Sequence, residues 1–473
     1  MSTFGALNTA YRGLTAAQQG MNVAGQNIAN AATEGYTRQR VQQSSLAAAA
    51  QGLFGSGRPV AGQGVSVDSV ARLGSSFLDA GVRSAGAQAG YANVRSSALQ
   101  GIESILKEPG DNGISASLQD FWSAWQGAAN QPGESGPAGL LLEAGNDLTA
   151  KISSAYQALD SQWSSVRGQA RNAVDTVNAA ASQVAAFNTT IRSTIAAGGS
   201  ANELIDARAK LTETISRLTG GTVREQADGT VDVHVGGNAL VMGGSVRMLT
   251  LAGKQAMNQP AGTPVQLEWT DRPGAAVGLD GGEIAGALSV LAPASGGTGG
   301  AIAEAAESYN QFAGKLRDAV NAVHFGAQTS TGAVAGNFFN SAPTGPAALS
   351  LTVVPQDVGA IALGVAGAGK LDSSVADKIS QLGTGPNSPD SVWASIVTGI
   401  GVQSRGAQQH ESLTAAAETS ALTARASSAS VSLDEENVSL LTNQHAYQAA
   451  ARVMTAVDEA LDVLINRTGL VGR

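Results

Sequence analysis

Asn27 to Arg40 read NIANAATEGYTRQR. The stretch closes an apolar, helix-like run from residue 2 and stops it abruptly. Thr33, Glu34 and Gly35 break the helical texture, and a polar, basic tail follows. Upstream, Leu7, Leu14, Met21 and Ile28 recur every seven residues, with Ala10, Ala17, Ala24 and Ala31 between them. An a/d repeat held over four heptads marks a helix–helix seam, and its alanine layer lets a partner helix come close. Gly5, Gly13, Gly20 and Gly25 lie in the same run. Each costs about 1 kcal/mol relative to alanine, so the helix is expected to be marginal alone and ordered only against a partner. The run has neither a basic start nor a continuous apolar core, so it does not read as a cleavable signal peptide.

The other end of the chain offers a partner. Leu433, Leu440, Tyr447, Met454 and Leu461 are again seven apart, and Ala450, Val457 and Leu464 fill the second position. Ser432 to Glu435 is a capping-box sequence. Asp434, Glu435 and Glu436 suit the positive end of a helix dipole, while Arg467 and Gly469 suit a helix end. Both helices would be about 45–50 Å long. If they pair, the first runs into the body and the last runs out, so they are antiparallel. The alternative is that each stripe packs separately on a globular core.

Between the ends the texture changes several times. Residues 41–74 read as extended, and Phe77 to Lys107 as a helix. Ile114, Leu118, Phe121, Trp122 and Trp125 mark one face of a short helix, where the tryptophans suit a core better than a ligand platform. Apolar residues from Leu148 to Ile195 alternate spacings of three and four, predicting one rod-like helix or two nearly collinear ones. A return helix carries Leu204, Leu211, Ile215 and Leu218. At Gly220-Gly221 the period switches to two, with Val231, Val233 and Val235 alternating. Helical texture resumes at 301–325 and 391–428. The expected fold is an elongated, multi-domain α+β molecule. Its terminal coiled coil takes 1–60 with 428–473, its long-helix body 61–221 with 300–427, and its inserted antiparallel β domain 222–299.

Composition narrows the function. The 473 residues are only 14% charged, against about 25% in an ordinary domain, which suits a surface partly covered by neighbours. A net charge of −9 without a basic stripe argues against nucleic acid. No stretch of eighteen apolar residues exists, so no membrane insertion is expected. The absence of cysteine excludes disulfides and thiolate chemistry.

Catalytic motifs are weak. Gly364 to Lys370 matches GxxxxGK, but Leu371 stands where a Mg²⁺-binding hydroxyl belongs and no βαβ unit surrounds it. Binding of a nucleotide that Lys370→Ala abolishes would be the sign of a hydrolase. His234, His324, His410 and His445 lie far apart and form no metal motif. No GxSxG elbow occurs. No catalytic residue, cofactor or metal is expected.

Ala29 to Gln39, ending Tyr36-Thr37-Arg38-Gln39, resembles the N-terminal signature of the bacterial flagellar rod, hook and hook-associated protein family, through Asn30, Thr33, Gly35, Tyr36, Arg38 and Gln39. Val431 to Glu436 with Gln444 to Ala450 is similar to the terminal helix of the hook-associated branch, and Asn202 to Arg208 resembles its return-helix segment. The rod and hook branches fit less well, because of the long helix over 138–197 and the Leu433 to Glu436 start. The tail from Asn466 runs past the family's usual helix end, and a further β domain carried by some relatives is missing. The resemblance implies a structural protein outside the cell, exported without a cleaved signal peptide and assembling with itself into a ring between hook and filament. It implies as partners the hook protein, the next hook-associated protein with the filament, and an export chaperone at the C-terminal helix. The heptad positions would form the assembly seam. Tyr36 and Arg38 reach either a neighbouring subunit or only their own chain, and the resemblance favours the neighbour.

Overall fold

The computed structural model describes residues 3–46, 62–260 and 262–467. The expected helix stop at Gly469 and the outer ends of the terminal domain lie outside the described residues. Helix α1 (Thr3–Ala29) leads through the 30–38 turn into an antiparallel pair, β1 (Gln39–Ser45) and β2 (Val65–Arg72). Four helices follow: α2 (Ser76–Leu106), α3 (Ile114–Asn130), α4 (Ser135–Ala196) and α5 (Asn202–Thr219). The rod expected from the 3/4 spacing is a single helix of 62 residues, about 90 Å long at 1.5 Å per residue. It makes the molecule elongated. Its buried face is Leu148, Ile152, Tyr156, Leu159, Trp163, Val166, Ala170, Val174 and Val177, continuing to Ile191.

The β region comprises two antiparallel sheets. Strands β3 (Thr222–Glu225), β4 (Val231–Val235), β5 (Asn238–Met242) and β6 (Ser245–Val246) form the first in chain order. Strands β7 (Leu249–Ala252), β8 (Gln266–Trp269) and β9 (Arg272–Ala276) form the second. Val231, Val233 and Val235 point into a core shared with Val174, Val177 and Val184 of α4 and Ile215 and Leu218 of α5. The sheets therefore bury their apolar face on the far half of the rod. Residues 282–291, expected inside the β insert, are helical instead: α6 (Gly282–Leu291) packs on α2 and α5. Ile284, Ala287, Val290 and Leu291 give it a buried helical stripe, which the surrounding glycines conceal in the sequence.

Helix α7 (Ala301–His324) joins α2, α3 and α4 in the main core. A small lobe follows, with β10 (Gln328–Thr329), β11 (Phe339–Asn340), α8 (Ala347–Ser350), β12 (Thr352–Val353), β13 (Ala362–Gly364) and α9 (Ser374–Ser380). In it β10 pairs with β13 and β11 with β12. Phe121, Trp125, Phe312, Phe338 and Trp393 fill the core between the lobe, α3, α4 and α7. Trp122 is bonded through Nε1 to Asp390 at 2.8 Å, so both tryptophans of α3 serve packing.

Helix α10 (Pro389–Ala429), started by the Ser388 side chain on Ser391 N and by proline at its first turn, lies along α2. Helix α11 (Leu433–Asp462) then lies along α1. A Cβ on Gly13 would meet Ala450 at 3.8 Å, one on Gly20 would sit 2.6 Å from the Asn443 amide carbon, and Asn27 bonds Glu436. Each heptad forward in α1 is a heptad back in α11, so the pair is antiparallel.

The buried strip of α1 differs from the leucine stripe. Ala10, Ala16, Ala17, Gly20, Val23, Ala24 and Asn27 are buried, whereas Leu7, Leu14, Met21 and Ile28 lie half-buried at its margin and Ala31 is exposed. On α11, Leu440, Tyr447, Ala450, Met454, Val457 and Leu461 fall on one half-buried face, whereas Leu433 and Leu464 are exposed. Small residues win the contact because two helices that touch through Gly and Ala can bring their backbones closer than leucines allow. Among the described residues no helix is long and apolar enough to cross a membrane.

Two glycines of α1 should therefore respond in opposite ways. Gly25 has nothing within 4 Å of an added Cβ, so Gly25→Ala should stabilise the helix by about 0.5–1 kcal/mol. Gly20→Leu should force α11 away. Thermal melts with hydrogen exchange read along α11 will separate the two outcomes.

Candidate functional site

The three stretches singled out in the sequence, 27–39, 202–208 and 432–436, come together at the root of the terminal hairpin. The turn is built locally. Asn30 Nδ2 donates to Gln26 O at 3.0 Å, Thr33 Oγ1 to Asn30 Oδ1 at 3.3 Å, and Tyr36 N to Thr33 O at 3.1 Å. Gly35 takes φ +83°, a left-handed backbone that a side chain would strain. Asn30, Thr33 and Gly35 thus shape the bend, and Tyr36, Arg38 and Gln39 reach out from it.

At its centre is Asn27, 1% exposed. Its Nδ2 donates to Gln39 O at 2.9 Å and to Glu436 Oε2 at 3.0 Å, and its Oδ1 accepts from Gln39 N at 3.0 Å and from the Tyr36 hydroxyl at 2.8 Å. All four hydrogen-bonding positions of the amide are filled. Glu436, 3% exposed, also receives Arg38 Nε at 2.6 Å, while Arg38 Nη1 reaches Glu435 at 2.6 Å. Ser432 Oγ accepts from Glu435 N, which places the two carboxylates in the first turn of α11. Main-chain bonds from Arg38 N to Ala429 O and from Leu73 N to Arg38 O tie the turn to the end of α10 and to β2.

The start of α5 completes the knot. Gln39 donates to Glu203 Oε1 at 3.1 Å and accepts from Asn202 Nδ2 at 3.0 Å. Gln26 Nε2 reaches the same Glu203 oxygen at 2.7 Å. Asp206 accepts from Thr37 N at 3.0 Å and from Arg72 Nε at 2.5 Å. Arg72 also lies 3.5 Å from Asp79, and Arg425 pairs with Glu213. Two residues further on, Arg208 turns toward the β region and donates to Asn188 Oδ1 and Gly229 O.

Electrostatics follow from this crowding. Burial pushes the Tyr36 hydroxyl up to about 12, helped by the charges of Glu203, Asp206 and Glu436. Burial works against the Arg38 charge, but the hydrogen bonds to Glu435 and Glu436 outweigh it and raise its pKa. Arg208 is brought down to about 10, chiefly by burial. These groups hold fixed charge states near neutrality and are built for structure. Tyr36 and Arg38 are engaged within their own chain. The reason is that Arg38 is the cation closing the otherwise uncompensated Glu436 carboxylate.

The other motif does not make a phosphate site. Asp372 folds back into the Gly364–Lys370 loop, taking Val365 N at 2.6 Å and the Ser374 hydroxyl at 2.8 Å. No helix starts at Lys370. Among the described residues no three His, Asp or Glu side chains gather as a metal site.

A family model for the helical domain of the flagellar hook-associated protein FlgK matches residues 99–339, just over half of the chain. The chain belongs to the FlgK family. Models for the flagellar basal body rod protein and for the C-terminal part of the rod proteins FlgEFG match residues 7–37 and 425–467. Flagellar hook-associated protein 1 of Bacillus subtilis (strain 168) is 28% identical over the full length of both chains. The protein of the same name from Escherichia coli (strain K12) is 29% identical over 246 residues, 51% of this chain and 44% of that one. Among solved structures, the flagellar hook junction protein FlgK from Burkholderia pseudomallei superposes with a TM-score of 0.63 at 14% identity, over 76% of this chain and all of that one. In this FlgK-family chain the two rod-type terminal matches are α1 with its turn and α11, the segments that Asn27, Arg38 and Glu436 bolt together.

Sequence reasoning found Asn30, Thr33, Gly35, Tyr36, Arg38 and Gln39 but missed Asn27, Arg72, Asp79, Glu213 and Arg425. Asn27 falls on the heptad line of Gly13 and Gly20, outside both apolar seam positions, so the stripe gave no signal for it. The others carry none: Arg72 pairs with Asp206 across 134 residues and Arg425 with Glu213 across 212, while Arg72 and Asp79, seven apart, sit on a strand and a helix and share no local period. Removing Arg38 (Arg38→Met) should destabilise the hairpin root by about 3–5 kcal/mol, since Glu436 is left buried and uncompensated. Glu435→Ala should cost under about 1 kcal/mol, because Glu435 is 63% exposed and its pairing is screened. Denaturant titration read by exchange at the α1 and α11 amides will check both.

Proposed function

We propose that this chain is a structural, non-catalytic component of the bacterial flagellum, forming the junction between hook and filament and acting as a mechanical adaptor on which the filament is built. The single observation carrying this reading is the knot itself. It clamps a long two-helix hairpin to a rod-like body by the same segments that define the family. The reading places the protein outside the cell and makes the hook protein, the next hook-associated protein and the filament its neighbours, with an export chaperone at the C-terminal helix. It assigns 1–60 with 428–473 to the terminal domain, 61–221 with 300–427 to the body, and 222–299 to the β insert.

The hairpin carries apolar side chains that its own fold does not cover. Phe4 and Tyr11 on α1, and Val438, Leu441 and Val453 on α11, are all half or more exposed. Exposed apolar side chains along one element favour burial against further copies, which supports self-assembly into a ring. The leucines at the margin of the α1 strip fit the same scheme. Leu7, Leu14, Met21 and Ile28 can bridge to a neighbour, while Leu440, Tyr447, Met454, Val457 and Leu461 close the intramolecular seam. The exposed Leu433 and Leu464 are left for outward contacts.

In a strain lacking the gene, the intact chain should restore swimming. Leu440→Asp or Leu14→Asp should abolish it and release filament subunits into the medium, because a charge in a desolvated seam costs several kcal/mol. Body helices should stay folded by circular dichroism. A Leu440→Asp strain that builds normal filaments would refute the seam assignment. In the purified monomer, amides across 5–28 and 435–462 should exchange much faster than those of α4. Protection there equal to that of α4 would show that the hairpin needs no neighbours.

A further inference from the structure

His324 ends α7 and is 1% exposed. Its two ring nitrogens are both spent on main chain: Nδ1 lies 2.9 Å from Gly336 O and Nε2 lies 3.1 Å from Ala362 N. Ala362 N–H can only donate, so Nε2 must be the bare nitrogen. The proton then sits on Nδ1 and is given to Gly336 O. The neutral Nδ1–H tautomer is the only form that satisfies both bonds. Through them one side chain joins α7 to the segment before β11 and to β13, the two ends of the lobe's pairing.

The groups facing the ring are uncharged. From α3 comes Trp125, whose ring centroid is 6.1 Å away, and from the segment before β11 come Gly336 and Phe338, with Phe338 at 5.4 Å. From β13 comes Ala362. The lobe's acidic groups are occupied elsewhere. Asp357 accepts from Gly359 N, Asp372 from Val365 N and Ser374, and Asp377 from Gln381. On the body of α7, Arg317 and Asp318 pair with each other. Among the described residues no carboxylate stands ready to compensate an imidazolium.

We propose that His324 is an acid-operated latch: a proton taken from solvent at Nε2 breaks the bond from Ala362 N–H and releases the lobe of residues 325–380 from α7. Protonation turns an acceptor into a donor facing another N–H and leaves a cation among Trp125 and Phe338. Burial lowers the pKa of His324 below its ordinary 6.5, the bond to Gly336 opposing only in part. The folded ring therefore holds its proton less firmly than the unfolded one. The latch's contribution is complete above about pH 6.5 and is lost as pH falls from there through the folded value. Asp372, whose pKa is held below the ordinary 3.8 by the bonds from Val365 and Ser374, acts only in a more acidic window.

The test is hydrogen exchange of the full chain between pH 7.5 and 5, corrected for intrinsic rates. The opening constant of the lobe amides, Ala362 above all, should rise by up to about tenfold per pH unit below about 6.5, while amides of β3–β6 stay level. In His324→Gln, which offers a neutral oxygen to Ala362 N–H at every pH, the lobe's slope should vanish. An unchanged slope in that variant, or a flat wild-type lobe down to pH 5, overturns the proposal. Should the variant not fold, nitrogen NMR of the histidine rings in the wild type decides. Loss of the Nδ1–H tautomer should coincide with opening of the lobe amides, and a ring that protonates while they remain closed overturns the latch.

Discussion

The hydrogen bond between Asn27 and Glu436 is the contact on which the two ends of the chain depend. Both side chains are buried, and a buried amide or carboxylate left without partners costs more than an ordinary hydrogen bond returns. Sliding α1 along α11 by one heptad would bring Glu436 opposite Gly20 instead, with Asn27 facing a different residue. The polar pair therefore fixes the register of a seam whose alanines and glycines alone would tolerate several. Arg38 and Tyr36 then complete the shells of Glu436 and Asn27, so the turn after α1 cannot move without opening the seam.

From that pin the order spreads outward. Gln39 hands the constraint to Asn202 and Glu203, and Thr37 hands it to Asp206. Asp206 and Arg72 carry it to α2 through Asp79. The result is a rigid root between a long, largely exposed hairpin and a body braced by the 62-residue α4. A stiff rod on a firm root suits a structural part of the flagellum.

Much of this is legible in the sequence. The 3/4 spacing from Leu148 to Ile195 became one helix, because apolar residues at that period can share a face only on a helix. The capping sequence at Ser432 began α11 where expected. The α6 helix was not legible, since Gly-rich flanks and a ten-residue length hid its stripe inside a β texture. The contact strip of α1 was legible in part: the alanine layer of Ala10, Ala17 and Ala24 is buried, but Gly20, Val23 and Asn27 join it and Leu7 and Leu14 flank it. Two of the glycines that look like helix weakness, Gly13 and Gly20, permit the close approach of α11, whereas Gly5 and Gly25 meet nothing.

The sequence by itself determined the long helices and their order, the heptad stripes at the two ends and the family signature, because periodicity and capping act over a few neighbouring residues. The tertiary structure decided which face of α1 is buried, why Tyr36 and Arg38 turn inward, and that residues 27, 38, 203, 206 and 436 form one knot. Those outcomes depend on which buried polar atoms find partners 164 to 409 residues away along the chain, and such pairings exist only once the backbone has brought them within hydrogen-bonding distance.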